Sequence, residues 1–342
     1  MKAVTFERFG GPEVLTYGER AAPLPEAGEA LVRVRACGVN HLDLWVRAGL
    51  PGLEPEMPHI LGNDVVGEIV ALGAGVKHLS VGQKTLVNPT LSCGVCPACA
   101  NGDDHLCRSY DVLGRRRNGG YAELVAVPAA NCLPYPDRLS WEKAAAVPLV
   151  FMTAWHMLVT RARVRPGDDV LVIGAGSGVG SAALQVARLF GARVIATAGT
   201  TEKLDLALTI GAHDGINHSS EDVAARARAL TGKKGVDVVV EHVGGRMFEA
   251  AVAALARDGR LVTCGATTGG KVTLDVNLLF GRHLALLGSW MGRRSDLNDA
   301  LRHVASGELE PVVDSVLPLA DARRAHERLE ARQVFGKLVL VP

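Results

Sequence analysis

Cys93, Cys96, Cys99 and Cys107 share one short stretch with the spacing C-x2-C-x2-C-x7-C, while Cys37, Cys132 and Cys264 stand alone. Four thiolates converging from one loop are what a closed tetrahedral zinc site needs, with no coordination position left open for water. The flanking residues, Asn88-Pro89-Thr90-Leu91-Ser92 and Asn101-Gly102-Asp103-Asp104, are turn formers with too little apolar bulk to pack on themselves. A metal crosslink would supply the missing core. A disulfide pair or a thiol redox motif uses the same residue type, but the fourfold spacing favours structural zinc.

A second constellation is Gly174-Ala175-Gly176-Ser177-Gly178-Val179-Gly180, set between the apolar strand pattern Val170-Leu171-Val172-Ile173 and a helical pattern from Val179 to Phe190. Glycines here permit a tight turn, let backbone N–H groups approach a pyrophosphate and aim a helix N-terminus at its charge. A further strand, Ala192 to Thr197, follows at the distance a dinucleotide site requires. The alternative is a glycine turn without a ligand. Cofactor choice lies at the end of that strand, where an Asp or Glu would hold the ribose hydroxyls of NAD. Ala198 stands there instead, and Gly199, Thr200 and Lys203 offer N–H, hydroxyl and ammonium to a 2′-phosphate. Glu202 reads as a helix-capping residue. NADP(H) is therefore expected over NAD(H), with Lys203 as a merely solvated helix residue the bland alternative.

These groups need a scaffold, and the chain is long enough for two domains at 342 residues. Up to about residue 125 the texture is β-rich, with strands such as Ala30 to Arg35 and Val65 to Val70 between Gly and Pro turns. From Trp141 it changes to helix–strand alternation: a mostly helical stretch to Arg161, then buried strands at Val236 to Glu241, Arg260 to Cys264 and Leu284 to Leu287. That rhythm predicts a doubly wound parallel sheet. Leu297 to Pro342 returns to a helix–turn–strand pattern closing on Lys337-Leu338-Val339-Leu340-Val341. A formal charge of +1 gives no drive toward nucleic acid or an anionic membrane. Met1-Lys2-Ala3-Val4 runs straight into a strand pattern, so no secretory signal is expected, and no apolar run suggests a membrane span. With thiolates that must stay reduced, the expected location is the cytoplasm.

Together the four-cysteine loop, the Gly174–Gly180 turn, Gly62 to Gly67 and the closing Gly336-Lys337 resemble the medium-chain dehydrogenase/reductase superfamily over the whole chain. The resemblance implies an α/β fold: a β-rich GroES-like catalytic domain over 1–125, completed by 290–342, and a Rossmann doubly wound domain over 126–289. Substrate would bind in the cleft between them. Zinc alcohol dehydrogenases of this superfamily hold a catalytic zinc through a Cys in G-V-C-H-T-D, a His in G-H-E-x-x-G and a later Cys, Asp or Glu. Here the first motif is Gly38-Val39-Asn40-His41-Leu42-Asp43, and the second is Gly62-Asn63-Asp64-Val65-Val66-Gly67. Asn40 and Asn63 replace two ligands and Leu42 replaces the relay hydroxyl. Val147 to Met152, before Thr153, contains none of the residue types that supply the third. Cys37, His41, Asp43, His59 and Asp64 are the nearby residues from which a second metal site could be rebuilt.

The same positions match the quinone oxidoreductase branch: Gly38-Val39-Asn40, Asp43, Trp45 and Arg47-Ala48-Gly49, with Trp45 where that branch often has tyrosine. That branch generally prefers NADPH and mostly lacks the four-cysteine loop, so the chain reads as a hybrid. The resemblance assigns Asn40, Asp43 and Thr153 to the reaction centre, and adds His218, Val243 and Gly265 to the cofactor contacts. Asn40 would donate to a carbonyl oxygen or the nicotinamide; Thr153 would touch the cofactor or simply pack a helix.

Alcohol oxidation at neutral pH needs a Lewis acid or a base. Lacking both, the site is expected to pass hydride from NADPH to a quinone or an α,β-unsaturated carbonyl, with one structural zinc and no catalytic one. The rivals are an alcohol or aldehyde dehydrogenase with an unusual metal site, and a cofactor-binding protein without catalytic duty. No basic–aromatic clustering supports an RNA partner. A homodimer or homotetramer is implied, often joined through an edge strand, and Leu284 to Leu287 suits either an edge or an internal strand.

Overall fold

The strand Glu29–Gly38 buries every residue except Arg33 and Arg35. It can do so because it lies inside a seven-stranded sheet, with neighbours on both sides. The order is Val313–Pro318, Lys337–Val341, Glu29–Gly38, Asp64–Leu72, Lys84–Val87, Cys132–Pro134, and Leu124–Pro128 also pairs with Glu29–Gly38. Register decides what meets at its end. Gly38 pairs with Val339 on one side and Asp64 on the other, so Asn40, Asp64 and Lys337 arrive together. A side chain at residue 38 is excluded, since its Cβ would lie 2.4 Å from the Ala145 carbonyl.

The computed structural model describes residues 1–342, and the chain divides into two compact units: Met1–Leu149 with Pro311–Pro342, and Val150–Glu310. These limits differ from 1–125 with 290–342 and 126–289 for a physical reason. Leu124–Pro128 and Cys132–Pro134 pair into the first unit's sheet, carrying it past residue 125. At the other end, helix Arg294–Ser306 belongs to the second unit, where Asp296 bonds to His156 and Thr160.

The second unit is built on six parallel strands in the order Asp214–Asn217, Arg193–Ala198, Asp169–Val172, Val236–Glu241, Leu255–Thr263, Ala285–Gly288. In sequence terms that order is 3-2-1-4-5-6, the doubly wound arrangement whose ligands bind at the carboxyl ends of the strands. Aliphatic side chains make its core, with Leu171, Ile195, Ile216, Val239 and Leu261 fully buried. Ala285–Gly288 is an edge strand, which resolves the alternative left by its composition.

One sequence reading needs correction. The helical stretch Trp141–Arg161 is, by length and composition, long and apolar enough to cross a membrane. In the fold 83% of its most apolar window is buried inside the protein, which explains its hydropathy as that of a core helix. It is interrupted as Pro148 requires, with α-helical segments Trp141–Ala144 and Pro148–Trp155 followed by a π-helical turn His156–Arg161. Thr153 sits within the segment Pro148–Trp155.

Candidate functional site

The cysteine loop closes on itself. The sulfurs of Cys93, Cys96, Cys99 and Cys107 all lie within 4.8 Å of one another, with Cys96–Cys99 at 3.5 Å, Cys93–Cys107 at 3.6 Å and Cys93–Cys99 at 3.9 Å. A tetrahedron with Zn–S bonds of about 2.3 Å has edges of about 3.8 Å, so this donor set fits zinc. The backbone N–H groups of Val95 and Cys96 point to Cys93 and draw its thiol down to about 6, toward the thiolate a metal needs. Turn geometry brings the four together: short helices Pro97–Ala100 and Asp104–Leu106, and left-handed glycines at Gly94 and Gly102. All seven cysteines are free of disulfides. No other three Cys, His, Asp or Glu side chains converge in this way.

At the carboxyl edge of the parallel sheet, the expected cofactor residues line up one strand end at a time. Gly174 turns at φ 65°, and Ser177 caps helix Gly178–Leu189 by accepting the Gly180 N–H at 2.8 Å. A Cβ at Gly180 would lie 2.4 Å from the Gly174 carbonyl, so helix and strand end touch only because residue 180 is glycine. Gly176, Gly178 and Val179 complete this turn.

Gly199 and Thr200 follow strand Arg193–Ala198, and His218 follows Asp214–Asn217, facing Gly199 closely enough that a Cβ there would be 3.2 Å from its Nε2. The Thr200 hydroxyl caps the next helix by accepting the Lys203 N–H at 3.3 Å, and Glu202 lies in the first turn as expected. Val243 and Gly265 follow the fourth and fifth strands. Beside them stand residues the sequence reading missed. Buried Glu241 accepts the N–H groups of Val243 and Gly244, and Ser219 Oγ donates to the Gly199 carbonyl at 2.9 Å. Ser177 contacts His242 at 3.2 Å across the point where strand order reverses.

Two buried hydroxyls in this unit, Thr153 Oγ1 and Ser289 Oγ, have no hydrogen-bond partner. Ser289 follows the sixth strand. An orphaned hydroxyl past a strand end, Ser289 Oγ, together with the glycine cradle, fits a bound dinucleotide.

The first unit holds the other candidate centre. Lys337, buried, places its ammonium 2.9 Å from Asp64 Oδ2 and 2.8 Å from the Val39 carbonyl, and donates to Asn40 Oδ1. Asn40 Nδ2 donates to the same Asp64 oxygen at 2.8 Å, and the second Asp64 oxygen accepts the Leu149 N–H at 2.8 Å. Asn63 donates to the Leu113 carbonyl. Two carboxamides and an ammonium do not make a zinc site: zinc takes Cys, His or carboxylate ligands, and the lysine already occupies the carboxylate. The other candidates are engaged otherwise. His59, buried, bonds to the Gly114 carbonyl at 3.0 Å, and Cys37 packs its sulfur against Gly62 and Gly120.

Asp43 is fully buried behind Asn40, and its carboxyl receives three donors: Asn40 N–H at 2.8 Å, Gly62 N–H at 3.1 Å and the Tyr121 hydroxyl at 3.1 Å. Arg47 donates to His326 Nδ1, which leaves the ring proton on Nε2 to meet the Tyr121 oxygen. Arg47 also pairs with Glu330. Burial, with the nearby Arg47 guanidinium, pushes His326 down to about 3, so the ring is neutral. Burial is also the main influence on Asp43, pushing it up to about 7 against the N–H donors and Lys337.

The unfolded value is lower, about 3.9, so folding takes up a proton between these limits. Stability contributed by Asp43 is full below about pH 4 and is lost as pH rises through 7. D43N is expected to flatten the urea midpoint between pH 4 and 7; an unchanged slope would contradict the assignment.

A lone lysine heading an otherwise apolar closing strand was the available signal for Lys337. Nothing local announced Tyr121 or His326, which reach Asp43 only through the fold.

Comparison with known proteins adds the following. Residues 26–137 match the alcohol dehydrogenase GroES-like domain family, and residues 178–306 match the zinc-binding dehydrogenase family. An alcohol dehydrogenase of Geobacillus stearothermophilus is 35% identical over 344 residues, covering 99% of each chain. A quinone oxidoreductase of Pongo abelii is 29% identical over 351 residues, covering 100% of this chain and 98% of the relative. A crystal structure described as an NAD-dependent alcohol dehydrogenase superposes with a TM-score of 0.97 at 48% identity, covering 100% of both chains.

Proposed function

Because the chain belongs to the medium-chain dehydrogenase/reductase superfamily and is an oxidoreductase of that kind, we propose that it reduces a quinone or α,β-unsaturated carbonyl with NADPH, without a catalytic metal. The observation that carries this reading is the ammonium of Lys337 lodged among Asn40, Asp64 and the Val39 carbonyl, in the motifs where zinc relatives hold their metal. A centre built this way has no Lewis acid to lower the pKa of an alcohol. It does have an amide donor, Asn40, suited to an acceptor's carbonyl oxygen. Asp43 holds the Asn40 backbone in place as a positioning residue.

The unit Val150–Glu310 binds the dinucleotide in this reading. The Gly174–Gly180 turn takes the pyrophosphate, Thr153 and Ser289 offer their unpartnered hydroxyls to the nicotinamide end, and Gly199, Thr200, Lys203 and His218 surround the 2′-phosphate. Bound NADPH supplies hydride to the acceptor and leaves as NADP⁺, while water supplies the proton. One zinc stabilises the four-cysteine lobe. The exposed edge strand suits a homodimer or homotetramer, and reduced thiols suit the cytoplasm.

Metal content and cofactor oxidation test this together. One zinc per chain is expected, with NADPH consumed by a quinone and an enone and no sensitivity to a chelator. Two tightly held zinc ions and chelator-sensitive alcohol oxidation would overturn it. Lys203→Ala should raise the NADPH Kd about tenfold and leave NADH unchanged, the loss of one charge-assisted contact. An equal effect on both would favour NAD, the second reading, which the 48% identical NAD-dependent alcohol dehydrogenase structure supports.

A further inference from the structure

The Asn40 carboxamide is held one way round by two partners that cannot exchange roles. Lys337 is only a donor, so the atom facing it is Oδ1; an ionised Asp64 is only an acceptor, so the atom facing it is Nδ2. Asn63 is fixed in the same manner, its Nδ2 on the Leu113 carbonyl, which turns its Oδ1 toward Asn40. That last contact, Asn40 Nδ2 to Asn63 Oδ1, is 3.5 Å, longer than a good hydrogen bond. One amide hydrogen of Asn40 is therefore held firmly and the other loosely.

The acceptors around it are all engaged. The Asp64 oxygens meet Lys337, Asn40 and Leu149, the Val39 carbonyl meets Lys337, and Asp43 has three donors. What the cluster retains is the Asn40 N–H that reaches Asn63 Oδ1 only at 3.5 Å, the one donor it can yield to a better acceptor, polarised by the ammonium on the other end of the amide.

We propose that Lys337 is a specificity-determining positioning residue: by fixing Asn40 with its N–H available, it makes the centre a donor for ligand oxygens that accept. Such oxygens are the carbonyl of a quinone or enone and the oxyanion that reduction creates. An alcohol, which needs a base for its proton, finds none there. This assignment rests on the carbonyl-reductase reading above.

The test uses 4-nitrophenol, whose absorption reports its ionisation, bound to the full-length zinc-loaded protein. The wild type is expected to hold the phenolate about tenfold more tightly than the phenol, so that the bound probe ionises about one pH unit lower than in water. An unshifted titration would overturn the proposal. K337M alone strands Asp64 without a counter-charge, so the informative variant is D64N/K337M. Its preference should fall below about twofold with a cooperative thermal transition retained, whereas K337R should keep the preference. K337R behaving like D64N/K337M would reduce Lys337 to a packing role and sink the proposal; should D64N/K337M not fold, the wild-type and K337R titrations decide. In parallel, NADPH oxidation by 2-cyclohexenone separates the two ideas. No turnover with the phenolate preference intact would refute the reductase reading, whereas turnover with no preference would refute the role of Lys337.

Discussion

Replacing Cys107 with serine is expected to empty the thiolate cluster and unfold the loop from Ser92 to Cys107. Beyond local backbone bonds such as Asp103 N–H to the Ala98 carbonyl, the loop has little regular structure or apolar packing. Its regular structure is a four-residue helix and a single 3-10 turn, and its larger apolar side chains, Val95 and Leu106, are 85% and 65% exposed. Structural zinc contributes roughly 10–16 kcal/mol to folding in zinc-finger peptides, far more than any contact visible here could replace. The damage should stop at the base of the loop, where Thr90–Leu91 pairs with Asp111–Val112 and Asn131 ties down Asn88 and Thr90. Zinc content by mass spectrometry should fall from one ion per chain to none, with amide protection lost between residues 92 and 108. Cys264→Ser, outside the cluster, should change neither. Retention of zinc and protection in C107S would refute the assignment.

The second large effect concerns Gly180. Valine there would drive its Cβ to within 2.4 Å of the Gly174 carbonyl and 2.9 Å of Ala175 Cα, and neither backbone atom can turn aside. The helix must back away from the strand end, breaking the 2.8 Å bond between Gly180 N–H and Ser177 and scattering the N–H groups meant for the pyrophosphate. Overpacking costs about 1–3 kcal/mol and a lost cap about 1 kcal/mol. Together these are about 2–4 kcal/mol, and at about 1.4 kcal/mol per tenfold the NADPH Kd should rise about 30-fold or more in a fluorescence titration. Gly281→Ala is the control, because a Cβ there meets nothing within 4 Å. Equal affinities for G180V and G281A would mean that the turn does not bind the cofactor.

These features differ in how far the sequence announces them. The cysteine spacing and the Gly174–Gly180 turn are legible because each is built from neighbours in the chain, where turn chemistry and periodicity act directly. Lys337 is different: its partner Asp64 lies 273 positions away and is brought near by the pairing of Gly38 with both flanking strands. The limits of the two units were misplaced for a related reason. Helix Arg294–Ser306 shows the same amphipathic pattern whichever unit it packs on, and only its bonds to His156 and Thr160 settle the matter. The full burial of Asp43 is likewise set by the fold, through Gly62 and Tyr121, and nothing in Asn40-His41-Leu42-Asp43 announces it.

The interleaving of Lys337–Val341 with Glu29–Gly38 also sets an order of assembly. Val150–Glu310 is one uninterrupted segment and has every strand of its sheet once residue 310 has left the ribosome. The other unit is discontinuous: strand Glu29–Gly38 pairs with Asp64–Leu72 and Leu124–Pro128 early, but takes its Lys337–Val341 neighbour only from residues made after 310. Asp64 therefore stays without its counter-ion until Lys337, 273 positions later, has been made. The continuous unit can close its sheet before the discontinuous one has all its strands.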